Sequence, residues 1–266
     1  MMNRSFMPAV AVLMLAAGLA GSAAAGPLED GNAAFERGEY ATALRLWRPL
    51  AEKGVPAAQF GLGILYANAD GVTRDYAAAV TLFRKSADKG YARAQSELGR
   101  LYANGEGVTR DYATAVGWFR KAADQGDPDA LLGLGIMYEN GQGVVQDAKA
   151  AAEWYRKAAD KNNPTAQYAL GIMYYRGAGV TKDPVSAHMW FNLAVAGGDK
   201  LQAPVTAKDA AQYRDIVAAS LKPPQLAEAQ KRAREWRPGQ EAVKMAAEKA
   251  AAEKAAAEKA AGEDSK

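Results

Sequence analysis

Apolar residues along this chain recur with two periods at once. Within short segments they fall three or four positions apart, the spacing of one face of a helix. Across segments the same positions return every 36 residues. Leu62-Gly63, Leu98-Gly99, Leu134-Gly135 and Leu170-Gly171 keep that spacing without a slip. So do Gly71-Val72, Gly107-Val108, Gly143-Val144 and Gly179-Val180, and the series Asp75, Asp111, Asp147 and Asp183. A fixed period of this length marks stacked units, none of which buries its apolar face alone.

Each unit reads as two antiparallel helices, A and B. In the second full unit the pattern predicts helix A over Ala92–Asn104, a loop with Gly105 and Gly107, and helix B from about Tyr112 to Gln125. Capping chemistry supports these bounds independently of the period. The recurrent Asp sits where helix B begins and is a strong N-cap; Pro184 follows it in the fourth unit, at a favoured first helical position. Helix B stops at Gly54, Gly90, Gly126 and Gly198, with Asn162 in the same slot. That is the residue set of a left-handed C′ position. Helix A restarts at Pro56, Pro128 and Pro164, with Asp127 and Asn163 as caps for the last two.

Small residues at fixed positions predict close helix contacts. Gly63, Gly99, Gly135 and Gly171 are expected to face helix B at the Ala43, Ala79, Ala115, Ala151 and Ala187 series. Trp47, Phe83, Phe119, Tyr155 and Phe191 share that helical face and read as interlocking core, although the same aromatics could be taken for a ligand cage.

The Leu-Gly-x-x-Tyr block (Leu98-Gly99 with Tyr102, Leu134-Gly135 with Tyr138) comes with the Gly-x-Gly-Val loop and the Asp after it. With the Trp-Phe-Arg-Lys-Ala-Ala stretch from Trp118 to Ala123, this pattern resembles the Sel-like (Sel-one) repeat family. That family is a branch of the tetratricopeptide superfamily with a longer loop between its helices. The resemblance covers residues 57–199. It implies an all-α, right-handed α-solenoid of about five helix pairs, working in complex assembly, signalling or envelope maintenance and not in catalysis. Many relatives carry cysteines that form disulfides within each unit. This chain has none, like the cysteine-free bacterial members.

The ends divide further. Residues 1–25 read as an export signal, with Arg4 as its positive region, Ala9–Leu19 as its apolar stretch and an A-x-A site at Ala23–Ala25. An uncleaved anchor is the alternative. Residues 26–56 predict a shorter capping hairpin. Residues 200–238 predict a C-terminal cap, with Tyr213, Ile216, Val217 and Leu221 on one helix and Leu226, Ala229, Ala233 and Trp236 striping a second. Residues 239–266, rich in Ala, Glu and Lys, read as a solvated, partly helical tail. The expected location is periplasmic or secreted, with no stable membrane insertion after cleavage. With 33 basic against 30 acidic residues, a formal charge of +3 offers no field for nucleic acid.

Candidate sites follow from the helix A face, which lines the inner groove in tetratricopeptide relatives. It offers Phe60, Ile64 and Asn68, then Ser96, Arg100 and Asn104, then Leu132, Ile136 and Asn140, then Tyr168, Ile172, Tyr175 and Arg176. These residues either receive a protein or peptide partner or bury against the adjacent unit; helical spacing alone does not choose. The Asn series either reads a peptide backbone or caps helix A. The alternative partner is peptidoglycan, or a cell-wall enzyme assisted by this chain, with Phe60, Tyr168 and Tyr175 stacking on sugars. Arg84-Lys85, Arg120-Lys121 and Arg156-Lys157 form a basic series that Asp88, Asp124 and Asp160 are expected to neutralise on a solvated face.

Catalysis finds no material. His188 is the only histidine, and there is no cysteine, which removes thiol chemistry, histidine relays and the common zinc sites. Ser86-Ala87-Asp88-Lys89 matches S-x-x-K, yet neither S-D-N nor K-T-G accompanies it. No phosphate-binding GxxxxGK loop occurs. No cofactor or metal is expected.

Overall fold

The computed structural model describes residues 26–202 and 205–239. Residues 1–25, which read as an export signal, and most of the Ala/Glu/Lys tail lie outside the described residues. Among those described, the chain is all-α, as the periodicity predicts. Its helices are α1 (Pro27–Glu36), α2 (Tyr40–Glu52), α3 (Pro56–Asn68), α4 (Tyr76–Ala87), α5 (Ala92–Asn104) and α6 (Tyr112–Ala123). They continue with α7 (Pro128–Asn140), α8 (Ala148–Asp160), α9 (Pro164–Arg176), α10 (Pro184–Ala196), α11 (Ala207–Ser220) and α12 (Pro223–Glu235). Contacts divide the described residues into one unit that runs to Asp147 and includes Gln202, and a second formed by residues 148–201 and 205–239.

The helix ends obey the local chemistry of their residues. Asp75, Asp111 and Asp183 are extended, and each carboxylate accepts from backbone N–H groups of the first turn of the helix it starts. Asp127 and Asn163 do the same for α7 and α9. Helix B ends where the chain turns left-handed, at Gly54, Gly90 and Gly126, and Asn162 adopts φ +62° in the equivalent place. Asn has the side chain that tolerates that region best after glycine is excluded.

In the first unit each helix packs on its chain neighbours, and α1 also touches α3 as α5 touches α7. The rings of helix B organise this packing. Phe119 of α6 lies between Gly99 of α5 and Gly133 of α7; a Cβ on either glycine would stand 2.6 or 2.8 Å from the ring. Gly63 faces Phe83 in the same way. These glycines do face helix B, as expected, but the nearest atoms there belong to its aromatic ring and not to the Ala series. Gly63, Gly99 and Gly171 each leave room for that ring, which fills the space a side chain on helix A would take.

The loop after helix A is fixed by a second close approach. Gly107 has φ +69°, and its missing side chain would overlap the Tyr76 backbone at the start of α4. Backbone N–H groups of Asp75, Asp111 and Asp147 donate back to the carbonyls of Tyr66, Tyr102 and Tyr138, closing each loop onto its own helix A.

In the second unit α9 packs between α8 and α10, and α10 carries both α11 and α12. Tyr213 of α11 stacks on Phe191 and meets Tyr168 edge-on. Trp236, just past α12, meets Trp190 of α10 edge-on. Ala229, Ala233 and Trp236 are buried, whereas Ile216, expected in the apolar set of the first cap helix, is 46% exposed.

Candidate functional site

The residues expected to line a groove separate into two groups. Phe60 and Ile64 of α3 are buried and share a cluster with Phe83, Leu98 and Leu101. Leu132 of α7 is buried as well. In the second unit Tyr168 and Ile172 of α9 pack with Phe191 and Val217. These side chains present no surface to a partner. Phe60 and Ile64 pack against residues of α5, and Tyr168 and Ile172 against residues of α11; with Leu132 buried as well, this corrects the expectation of an open apolar groove at these positions. Two of the three aromatics offered for sugar stacking, Phe60 and Tyr168, are thereby removed.

Ser96 and Arg100 are buried too, but in polar surroundings. What stays accessible is Ile136, Asn68, Asn104 and Tyr175, all half-buried, with Asn140 and Arg176 exposed.

The Asn series does not cap helix A through its own backbone. The left-handed residue is the following one, Ala69, Gly105, Gly141 or Gly177. Asn68 and Asn104 instead donate their amides to the carboxylates of Asp70 and Glu106, two residues on. Each pins the acidic side chain of the loop.

One place on the helix A face departs from the repeat. Where α3 and α7 carry Phe60, Gly61 and Ile64 or Leu132, Gly133 and Ile136, α5 carries Ser96, Glu97 and Arg100. Arg100 donates to Glu97 at 2.8 Å and to Glu106 at 2.7 Å, with its side chain 8% exposed. The two carboxylates hold its guanidinium more firmly protonated than usual against the opposing effect of burial. Ser96 donates to Asp127, whose carboxyl is nonetheless pushed above its ordinary range by burial. Asp129 and Arg93 complete the cluster. Four carboxyl groups meet two guanidiniums here; burial, with Asp127 and Glu97 beside it, pushes Asp129 up to about 7, so the negative excess is complete only above that pH. Only an alignment of the 36-residue units position by position exposes this substitution, because Ser, Glu and Arg within one helix look like ordinary solvent-facing residues.

Three further features lie outside the expected site. Arg84, Arg120 and Arg156 each donate to the hydroxyl of the Tyr eighteen residues later, Tyr102, Tyr138 and Tyr174. Arg84 and Arg120 form no ion pair with Asp88 or Asp124, contrary to the expected neutralisation of a basic stripe. Lys121 and Lys157 lie over the rings of Trp118 and Trp154, 4.1 Å from the centroids. Gln59, Gln95 and Gln167 donate to the carbonyls of Ala51, Ala87 and Ala159, a second bond to acceptors at the end of helix B that also receive the N–H of Gly54, Gly90 and Asn162.

The same register defines the family. A family model of the Sel1 repeat matches residues 56–91, 92–127, 128–163 and 164–199, and the chain belongs to that family of all-α repeat scaffolds. Among solved structures it is similar to c5321, a protective antigen of uropathogenic Escherichia coli strains displaying an SLR fold. Identity is 32% and the TM-score 0.62, over 79% of this chain and 45% of that one. The chain thus spans under half the length of that relative. It is also similar to a Sel1 repeat protein from Oxalobacter formigenes, at 28% identity and TM-score 0.56, over 73% of this chain and 86% of that one. No curated protein matches the sequence.

Proposed function

We propose that this protein is an exported, non-catalytic scaffold that holds a protein or peptide partner on the helix A face of its first unit, with α5 and its loop as the recognition focus. The observation that carries this reading is the replacement of stacking residues by Ser96, Glu97 and Arg100. Exchanging apolar contacts for a buried ion pair seldom stabilises a fold, so a use beyond folding is the economical account. Glu106, which accepts from Arg100 and Asn104, and Asp129, which accepts from Gln202, place carboxylates at the rim of this cluster, where a partner segment carrying Lys or Arg would add to or exchange for these contacts. Ile136 supplies an apolar contact beside it, and Asn104 and Asn140 supply amides.

The membership in a family whose repeats generally mediate protein contacts supports the scaffold role. The pattern of Arg4, the apolar stretch and Ala23–Ala25 supports export to the periplasm or beyond, and a mature chain beginning at Gly26 is the expected product. The partner test is capture by the full chain against Glu106→Lys combined with Asp129→Lys, with Lys85→Glu on helix B as control. Loss of capture in the first variant alone supports the reading. Equal capture by all three contradicts it.

A further inference from the structure

A second polar site lies in the second unit, away from the helix A positions considered above. Helices α10, α11 and α12 surround an open cavity of about 410 Å3, lined by His188 and Asn192, by Arg214 and Asp215, and by Gln230 and Arg234. Residues 188 and 192 are one turn apart on α10, and 230 and 234 one turn apart on α12, so each helix sends a matched pair toward the same space.

His188 is the unexplained member. It is 3% exposed, and its Nδ1 meets no hydrogen-bond partner. Leaving such a nitrogen unpaired in a buried setting is costly. The fold does not require it, since the equivalent helix B positions hold Val80, Val116 and Ala152. Around it the charges are unbalanced. Arg214 is held by Asp215 at 2.8 Å, while Arg234 has no carboxylate partner among the described residues. Two guanidiniums against one carboxylate leave a positive excess, and the amides of Asn192 and Gln230 add donors.

We propose that this cavity binds a small oxyanion, a carboxylate or a phosphate, with Arg234 as its charge partner and the imidazole of His188 as a donor at its inner wall. Arg214 contributes as the second guanidinium, and Asp215 restricts the site to ligands of low charge. The groups facing His188 are Asn192 on its own helix, Arg214 and Asp215 from α11, and Gln230 and Arg234 from α12. Burial and the Arg214 guanidinium hold the imidazole below its ordinary pKa, with Asp215 opposing. A bound anion adds negative charge, so it stabilises the protonated ring and binds more tightly as pH falls.

The single histidine makes the test direct. In the full chain without a histidine tag, the Cε1–H resonance belongs to His188 alone. Sodium acetate and inorganic phosphate are titrated separately at constant ionic strength, with sodium chloride as the reference. The expected result is a saturable shift with at least one of the two anions, an upward move of the His188 pKa at saturation, and at least tenfold weaker binding in Arg234→Gln. Saturation by acetate alone assigns a carboxylate ligand, and by phosphate alone a phosphate ligand. A shift reproduced by chloride, or unchanged in Arg234→Gln with the other resonances intact, overturns the site. Because none of these residues belongs to the α5 focus, failure here leaves the partner-binding reading standing, and the reverse also holds.

Discussion

The guanidinium of Arg120 donates to the hydroxyl of Tyr138 at 3.2 Å and so joins α6 to the helix that begins the next repeat. Arg156 and Tyr174 make the same contact at 2.7 Å between α8 and α9. Neighbouring repeats therefore hold together by more than apolar contact. The bond lies near the surface, which keeps its contribution small. Tyr138→Phe is expected to lower stability by about 0.5–1 kcal/mol. Arg120→Ala should cost little more once Tyr138 is already Phe. Urea unfolding of the two single variants and the double variant measures that coupling.

Ala69 occupies the left-handed position after α3 with φ +66°, where the other repeats have Gly105, Gly141 and Gly177. A Cβ strains that conformation by about 1 kcal/mol, part of which the greater freedom of glycine in the unfolded chain takes back. Ala69→Gly should leave the melting temperature equal or slightly higher. Gly105→Ala should lower it, since it adds both the strain and a contact with Arg110.

Removing Arg100 strands the Glu97 carboxylate in a nearly closed environment. Arg100→Ile is expected to destabilise the chain by about 3–5 kcal/mol. Adding Glu97→Gly restores the residues that α3 and α7 use at these positions and should recover most of the loss. Chemical denaturation of the single and double variants decides this. A double variant no better than the single would show that the ion pair is needed for folding itself.

Asp127 supplies the pH dependence. Its folded pKa stands above the ordinary 3.8, chiefly through burial. A carboxyl with a raised folded pKa favours folding in its protonated form. That contribution is complete below the unfolded value and is lost as pH rises through the folded one. Asp127→Asn keeps a side-chain oxygen for the Ala130 N–H without the charge. It should therefore exceed the parent in stability near neutrality, with the advantage vanishing in acid. Melting temperatures across that range measure it.

The fold was legible because its determinants are local. The αL slot of Asn162 and the capping role of Asp111 follow from residue type and position. The 36-residue register then repeats the inference four times. The site was less legible for a physical reason. Helical spacing places Ile64 and Ile136 on the same face, but only the neighbouring helix decides that Ile64 is buried while Ile136 keeps some exposure. Long-range polar contacts hide in the same way. Arg120 has Asp124 one turn away and Tyr138 eighteen residues away, and only the stacking of α6 on α7 brings the distant partner closer. The substitution of Ser96, Glu97 and Arg100 was visible in the letters, yet its meaning depended on knowing that those positions are interior.

The central claim is that partners dock on the helix A face of the first unit. Its most direct test is site-specific photocrosslinking in the native cell with the full chain, with the probe placed at Ile136, at Asn140 and, on helix B, at Lys85. Adducts at 136 and 140 that disappear with Glu106→Lys and Asp129→Lys, with none at 85, are the expected result. Adducts confined to position 85 would contradict the account.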